Sequence, residues 1–443
     1  MLNRFPEIAP FLKRHSSYIS RTSLLAALAA VNLLVAFLYQ WYIATVNGPG
    51  RETDALFAGM VIPTLVLAVV GGSLTYVLVP MLSTRTGVDL LNESWNIFQL
   101  MGVVFSAFSL VLFLTADIWV AWTVPGFDQP TRTLTVGLVR IQLFGVVFTG
   151  LAGVLYAANL ARKRFVFVEM VSIGCNVLGF LFLVWGLHRF GIKVAAWAMV
   201  VRMMLQTVCL IPSLGPYRKP NWKSPSLKTA WSRIRPLLIG ASYYRTDQLV
   251  DRILASMAPR GLLTFLHLSQ QFYNSTNSIL SKAIGTPMVP VLSNFAHQRK
   301  WGEFRGYLAK RLILMSWITG LCFSLLVVVG KPGLSLIFAH RKFSYDNVQD
   351  LWILLVALGG AFIAGTLGQI LSLSFYAQGN TKTPTRIGMV GFTLGLGLKI
   401  GGFFLKGVLG LAVGTSIYYC LNAILLYIFL RRNIFNKFSS DPT

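Results

Sequence analysis

Long apolar stretches separated by short polar connectors fill this chain from Leu24 to Leu430. About twelve of them are long enough to cross a bilayer, because a hydrocarbon core of about 30 Å requires roughly 20 apolar residues in a helix. In lipid a helix satisfies its backbone hydrogen bonds internally, and the stretches lack the period-two alternation of a membrane β-barrel. The pattern therefore predicts an all-α, polytopic membrane protein. The predicted helices are 22–46, 54–82, 96–122, 134–158, 165–187, 194–215, 236–257, 261–288, 311–330, 350–377, 384–404 and 407–431.

A basic, proline-containing connector halfway along the chain divides these helices into two sets of six. It spans 216–235 and carries six lysine and arginine residues. We expect a cytoplasmic tail at 1–21, a lobe of six helices at 22–215, a second lobe at 236–431 and a tail at 432–443. Prolines and polar residues between periodic segments are typical of a linker.

Two short motifs recur in the two sets. VPMLS at 79–83 returns as VPVLS at 289–293, and the Tyr-Ala pair at 156–157 returns at 376–377. An even number of crossings in each set gives both sets the same orientation. The pattern predicts two parallel repeats, an architecture of transporters in which the substrate path lies between the repeats.

The basic residues are distributed unevenly between alternate connectors. The chain has 39 Lys and Arg against 14 Asp and Glu, a net charge of +25. Most of the basic residues fall in the tails and in every second loop, which by the positive-inside rule places both termini in the cytoplasm. Membrane topology and anionic lipid headgroups account for this charge, so nucleic acid is not an expected partner.

The sequence contains no motif that is typical of a metal site, a disulfide framework or a nucleotide-binding site. The four cysteines (Cys175, Cys209, Cys322 and Cys420) lie in apolar stretches at unrelated spacings, which indicates packing rather than disulfides or a metal centre. No phosphate-binding loop of the GxxxxGK[ST] type occurs. We expect no cofactor, no metal and no catalytic residue.

Charged residues inside predicted helices are the main functional signal. A charge at helix-centre depth costs about 2.5–3.5 kcal/mol, so each requires a partner, water or a function. The seventh helix carries Arg245, Asp247, Asp251 and Arg252, and Arg202 lies halfway along the sixth helix. The spacing puts the two arginines of helix seven on one face and the two aspartates on another.

These charges have two interpretations. Either they form an internal salt-bridge network, or the arginines line a solvated cavity and bind an anionic headgroup, since guanidinium matches phosphate oxygens. The polar run of helix eight, which includes Gln271 and Asn274, is compatible with a wet wall that meets sugar hydroxyls or with a tight helix seam. Lys399 is expected to extend its amine to the membrane surface.

Several motifs in family order resemble one family. They are RETDALF at 51–57, IP at 62–63, VPML at 79–82, DRILAS at 251–256, AIGT at 283–286, PVLS at 290–293 and FYAQGNTKTP at 375–384. Together they resemble the MurJ/MviN lipid II flippases of the multidrug/oligosaccharidyl-lipid/polysaccharide exporter superfamily. The resemblance implies transfer of an undecaprenyl-pyrophosphate-linked saccharide across the cytoplasmic membrane. It also implies that Asp54 corresponds to the aspartate in the family's second helix. Gln271 stands where members usually have an arginine.

The favoured hypothesis is a lipid-linked oligosaccharide flippase of the bacterial inner membrane that works by alternating access. Its substrate-binding candidates are Arg245, Arg252, Arg202, Gln271 and Asn274. Candidates for ion coupling or structural charge are Asp54, Asp247 and Asp251. Expected partners are the lipid-linked saccharide and membrane lipids, and we expect a monomer. The alternatives are a multidrug or cation antiporter, which would need an acidic cavity, and a membrane glycosyl- or acyltransferase, which would need grouped carboxylates or histidines.

Overall fold

The computed structural model describes residues 8–85, 87–219, 221, 232 and 246–439. Within these ranges the chain is helical throughout, with short connections and no strand. The prediction of an all-α protein is confirmed. The helices are α1 (Ile8–Asn47), α2 (Arg51–Gly59), α3 (Val61–Ser83), α4 (Gly87–Leu114), α5 (Ala116–Thr123), α6 (Gln129–Ala161), α7 (Phe165–Phe190), α8 (Lys193–Leu210), α9 (246–256), α10 (Leu262–Leu280), α11 (Thr286–His297), α12 (Trp301–Phe338), α13 (Tyr345–Ala357), α14 (Gly359–Ala377) and α15 (Lys382–Ser439).

Eight helical segments in the described part of the chain are long and apolar enough to cross a membrane. The apolar side chains of several, such as Trp317 and Leu325 on α12, are exposed on the outside of the bundle. A soluble protein rarely exposes apolar surface on this scale, whereas a bilayer covers it. The chain is therefore a multi-pass membrane protein.

Helix boundaries depart from the apolar pattern at several points. The predicted helix 54–82 is divided into α2 and α3 at Met60, and predicted helix 350–377 is divided into α13 and α14 at Leu358. α15 kinks at Lys406 and Gly407, where the pattern predicted a boundary between two helices. Gly407 has φ of 58°, a conformation that glycine adopts at little cost.

α12 begins ten residues before the predicted start at 311. Its first turns are amphipathic, with Trp301, Phe304 and Leu308 buried while Glu303 and Arg305 remain exposed. An apolar window detects only the membrane-crossing part of such a helix, because the charged residues lower its mean hydropathy. The buried stripe extends the helix beyond the hydrocarbon region.

Two groups of helices surround two central ones. In the part of the chain up to residue 214, which we call the first half, α3, α4 and α8 pack against α6, and α1 and α8 pack against α7. In residues 246–439, which we call the second half, α11, α12 and α15 pack against α14. α10 meets α1 and α2 across the boundary, so it joins the two halves.

Candidate functional site at the junction of the two halves

The two halves meet at the end of the molecule where α1 finishes and α10 begins, which we call the closed face. Here the indole Nε1 of Trp41 donates to the carbonyl of Ile337 at 2.7 Å. The backbone N–H of Lys342 donates to the carbonyl of Thr45 at 3.1 Å. The bonds join the end of α1 to the last turn of α12 and to the connection that follows it, so they hold the halves together at this face.

A glycine permits backbone contact between the halves. The N–H of Gly126 lies 3.4 Å from the hydroxyl of Ser256. A Cβ atom at Gly126 would lie 2.4 Å from the Cα of Met257, a distance that real Cβ atoms do not reach. Glycine at this position therefore allows the α5–α6 connection to reach the end of α9.

An exposed ion pair lies at the edge of the contact between the α5–α6 connection and the end of α9. Arg260 Nη2 lies 3.3 Å from Asp128 Oδ2, and both side chains are exposed. The hydroxyl of Thr131, which donates to Asp128, and the nearby Arg260 guanidinium hold the pKa of Asp128 below its usual range. Asp128 therefore stays ionised at neutral pH and remains available to Arg260.

Asp54 lies at the centre of the closed face. Its carboxylate accepts from the N–H of Gly261 at 2.6 Å, and from the N–H and hydroxyl of Thr264 at 2.8 and 2.6 Å. These groups form the N-terminus of α10, whose unpaired N–H groups and helix dipole favour an anion. Gly261 has φ of 93°, which turns its N–H toward the carboxylate. Asp54, on α2 of the first half, thus caps a helix of the second half.

Arg252 lies just inside this cap and is 6% exposed. Its Nη2 is 2.6 Å from His267 Nδ1 and 3.4 Å from Gln270 Oε1. The ring of His267 stacks on Phe57 of the first half, with ring centroids 4.2 Å apart. Nε and Nη1 of Arg252 have no hydrogen-bond partner among the described residues. A buried guanidinium with free donors is suited to an anionic ligand.

Lys399 connects the two aspartates of α9. Its amine lies 2.6 Å from Asp247 Oδ1 and 2.8 Å from Asp251 Oδ1, and its side chain is 0% exposed. Gln270 Nε2 donates to the second oxygen of Asp251 at 2.7 Å, which links this ion pair to Arg252. The expectation that Lys399 reaches the membrane surface is wrong, because the two carboxylates stabilise the amine inside the bundle.

A small polar cavity of about 110 Å³ lies beside this ion cluster. Its lining includes Asp247 and Asp251 of α9, Gln270 and Asn274 of α10, and Thr415 of α15. This volume accommodates a few water molecules, but no saccharide. Asn274 therefore lines a polar chamber that is much smaller than a lipid headgroup.

The other predicted site residues lie elsewhere. Arg202 belongs to a network inside the first half: its Nη1 donates to Asn176 Oδ1 at 3.1 Å, and Asn176 in turn donates to Asn32. Gln271 is half-buried on α10 and does not line the small cavity. Arg245 lies outside the described residues.

The structure assembles one connected set of charges from separate parts of the chain: Asp54, Arg252, Asp251, Lys399 and Asp247. Arg252 interacts electrostatically with Asp54 on one side and with Asp251 on the other. The sequence analysis identified the α9 charges and Asp54 but missed Lys399, His267 and Gln270 as their partners. The depth of Lys399 within predicted helix 384–404 was the signal that could have identified it.

A multi-pass membrane bundle that carries charged groups in its interior is typical of one class, the membrane transport proteins. The family model described as "Lipid II flippase MurJ" matches residues 43–440. The chain belongs to this family.

Curated relatives agree with the family model. The chain is 28% identical to a probable lipid II flippase MurJ of Vibrio cholerae over 240 residues, which cover 52% of this chain and 44% of the relative. It is 23% identical to the lipid II flippase MurJ of Burkholderia cenocepacia over 417 residues, which cover 88% of this chain and 79% of the relative. The longer match extends through both halves.

Solved structures share the fold. A lipid II flippase MurJ in an inward closed conformation matches with a TM-score of 0.81 at 17% identity, covering 92% of this chain and 87% of that chain. An inward-facing multidrug resistance transporter of the MATE family matches with a TM-score of 0.78 at 13% identity, covering 95% of this chain and 100% of that chain. At these identities the likeness concerns the fold alone.

Proposed function

We propose that this protein is a flippase that moves an undecaprenyl-pyrophosphate-linked saccharide across the bacterial cytoplasmic membrane. Membership of the MurJ family over residues 43–440 is the observation that carries the proposal. The diphosphate and sugars cannot cross hydrocarbon unaided, because desolvating such charged and polar groups is too costly. The polyprenyl tail can remain in lipid throughout.

Twelve transmembrane helices in two lobes of six, with both termini in the cytoplasm, make up the proposed architecture. The excess of basic residues in the tails and in alternate connectors supports this orientation. The grouping of helices around α6 and around α14 supports the two lobes. In this orientation the closed face is periplasmic, and the described conformation is sealed on that side.

Transport then follows from opening and closing this seal. With the periplasmic face closed, the headgroup enters between the lobes from the cytoplasm. Release of α10 by Asp54 separates the lobes on the periplasmic side. Each cycle therefore exposes the headgroup path to one side at a time.

Arg252 is the leading candidate for diphosphate binding. It lies next to the lobe boundary, and two of its nitrogens have no partner among the described residues. Arg245, which lies seven positions before Arg252 in the sequence, is proposed to contribute to the same path, together with Gln271 and Asn274 on α10. Arg202 is proposed for a structural role, because its network lies within the first half.

Asp247 and Asp251 are proposed to be structural charges. The ammonium of Lys399 already occupies the position between them. A cation antiporter needs carboxylates that are open to its substrate, so this arrangement disfavours the multidrug-antiporter alternative. The MATE-family likeness supports a common fold for the two transport classes.

Reconstitution into liposomes that contain the lipid-linked precursor tests the proposal. A membrane-impermeant phosphatase that cleaves the exposed diphosphate measures how fast precursor leaves the inner leaflet. We expect the protein to raise that rate, and Arg252→Gln to lower it at least tenfold. Arg140→Gln is the matched control, because Arg140 is also in a membrane helix but pairs with Asp117 away from the junction.

Two results would oppose the proposal. Equal rates in protein-containing and empty liposomes would exclude the flippase activity itself. Equal rates for Arg252→Gln and Arg140→Gln would remove Arg252 from the substrate path while leaving the activity in place.

A further inference from the structure

Two grooves on the outside of the bundle occupy equivalent positions in the two halves. One runs along α4 with a volume of about 720 Å³, and the other along α12 with about 570 Å³. Gly102 and Ser106 form part of the α4 groove, and Ser316 and Gly320, each 214 positions later, form part of the α12 groove. Small residues at spacing four make a shallow channel on one face of each helix.

The α4 groove differs from its counterpart by a polar end. Trp95 is 7% exposed, lines this end, and its indole N–H has no acceptor among the described residues. The side-chain oxygen of Gln99, one turn further along the groove, also has no partner in the described residues. At the matching positions of α12 the chain has Ala309 and Ile313.

The chain after α8 returns to this end of α4 and is fixed there. Arg218 Nη1 donates to Asn92 Oδ1 at 2.6 Å, and Gln99 Nε2 donates to the Arg218 carbonyl at 3.0 Å. Tyr217 packs against Trp95, with ring centroids 5.4 Å apart. This places the Arg218 guanidinium, whose Nε–H has no acceptor in the described residues, beside Asn92, about one helical turn before Trp95 on α4.

Buried donors without acceptors are costly unless a ligand or water satisfies them. Here the Trp95 N–H lies at the polar end of an apolar channel, and the Arg218 guanidinium lies about one helical turn before it, beside Asn92. A phosphodiester with an apolar chain matches this arrangement, with the phosphate on the donors and the chain along the groove. From Trp95 to Leu110 the helix rises about 22 Å, which accommodates one extended acyl chain.

We propose that the α4 groove is a binding site for one anionic glycerophospholipid. Its phosphate accepts from the N–H groups of Trp95 and Arg218, and one acyl chain lies over Gly102 and Ser106. The α12 groove has Ala309 and Ile313 in place of Trp95 and Gln99, so it contacts membrane lipid without headgroup preference. The site lies on the outer surface of the first half, separate from the junction between the halves.

Native mass spectrometry of the full-length protein in mild detergent tests this inference. Phosphatidylglycerol or phosphatidylcholine is added at matched concentration, and the fraction of protein that retains one lipid is measured. We expect phosphatidylglycerol to be preferred, and Trp95→Phe to reduce its retention about tenfold, because one hydrogen bond to a charged group is removed. Trp317→Phe in the α12 groove is the matched control and should leave retention unchanged.

Arg218→Gln provides an independent variant, because it changes a residue of a connection rather than of a helix. Thermal unfolding of each variant without added lipid establishes that it remains folded. Equal retention of the two phospholipids by the unaltered protein would overturn the proposal. So would unchanged phosphatidylglycerol retention in both Trp95→Phe and Arg218→Gln, or displacement of the lipid by a polyprenyl phosphate at equal concentration.

Discussion

Single side chains near the junction carry charge that the apolar bundle must neutralise. Lys399 makes two ion pairs inside the second half, and its position between Asp247 and Asp251 gives each carboxylate a donor. A buried ion pair is costly to form, but removal of one partner is costlier, because the remaining charge is left without compensation. Lys399 is therefore a structural residue, and its removal would leave both aspartates without a counter-charge.

Lys399→Met tests this role. We expect it to destabilise the protein by about 3–5 kcal/mol, since two buried carboxylates lose their counter-charge. Thermal unfolding in detergent, read by tryptophan fluorescence, measures the change. The triple variant Lys399→Met, Asp247→Asn, Asp251→Asn should recover most of the loss because no charge remains. A triple variant as unstable as the single one would show that packing, rather than charge, governs this position.

Asp54→Asn tests the cap across the junction. The amide cannot accept from all three donors of α10. The closed conformation should therefore lose about 2 kcal/mol of stability relative to the open one, which lowers the ratio of closed to open protein by a factor of about 30. A cysteine introduced at Thr45, which is buried at this face, should then react faster with a membrane-impermeant maleimide. Asp128→Asn, at the exposed rim, is the matched control and should change the rate far less.

At the scale of whole helices, close backbone approach governs the packing of α15. Its two arms fold back on each other after the kink at Lys406 and Gly407. A Cβ at Gly410 would lie 1.8 Å from the carbonyl oxygen of Gly402, and one at Gly414 would lie 2.5 Å from that of Leu398. Glycines at such crossings permit the short interhelical distances that stabilise helices in lipid.

Gly410→Ala should therefore separate the two arms of α15. We expect a loss of about 1–3 kcal/mol in stability from overpacking. Gly401→Ala is the matched control, because a Cβ there meets nothing within 4 Å. Equal melting temperatures for the two variants would show that the arms adjust without strain.

At the scale of the whole molecule, contacts between the two halves of the described chain form the closed face. The closed face combines the Asp54 cap, the backbone contact at Gly126 and the bond from Trp41 to Ile337. These contacts are made between residues far apart in sequence, so they can break together when the halves separate. Alternating access would require this seal to open and close, and Gly126→Ala tests whether it can be disrupted.

Gly126→Ala should prevent the seal from closing. The added Cβ would collide with the backbone of Met257, so we expect the closed conformation to lose about 2 kcal/mol. Spin labels at the exposed Glu52 and Tyr345, in a background without the native cysteines, report the separation of the halves by pulsed electron resonance. The distance distribution should shift to longer values in Gly126→Ala. It should stay unchanged in Gly137→Ala, where a Cβ meets nothing within 4 Å.

The sequence by itself determined the fold class and the family. Continuous apolar stretches require membrane helices because lipid leaves backbone groups no other partner. The motifs around Asp54 and around 375–384 identified the family, and the depth of the α9 charges indicated that they need partners. Each of these inferences depends on a local pattern of residues, and a single amino-acid sequence is enough to show such a pattern.

Only the tertiary structure decided which charges meet. Lys399 and Asp247 are 152 positions apart, and Asp54 and Gly261 are 207 positions apart. No periodicity connects residues at such separations, because their contact depends on how helices of different parts of the chain cross. For the same reason the sequence could predict that α9 carries buried charge, but not that the amine of Lys399 neutralises its aspartates while Arg252 turns to the junction.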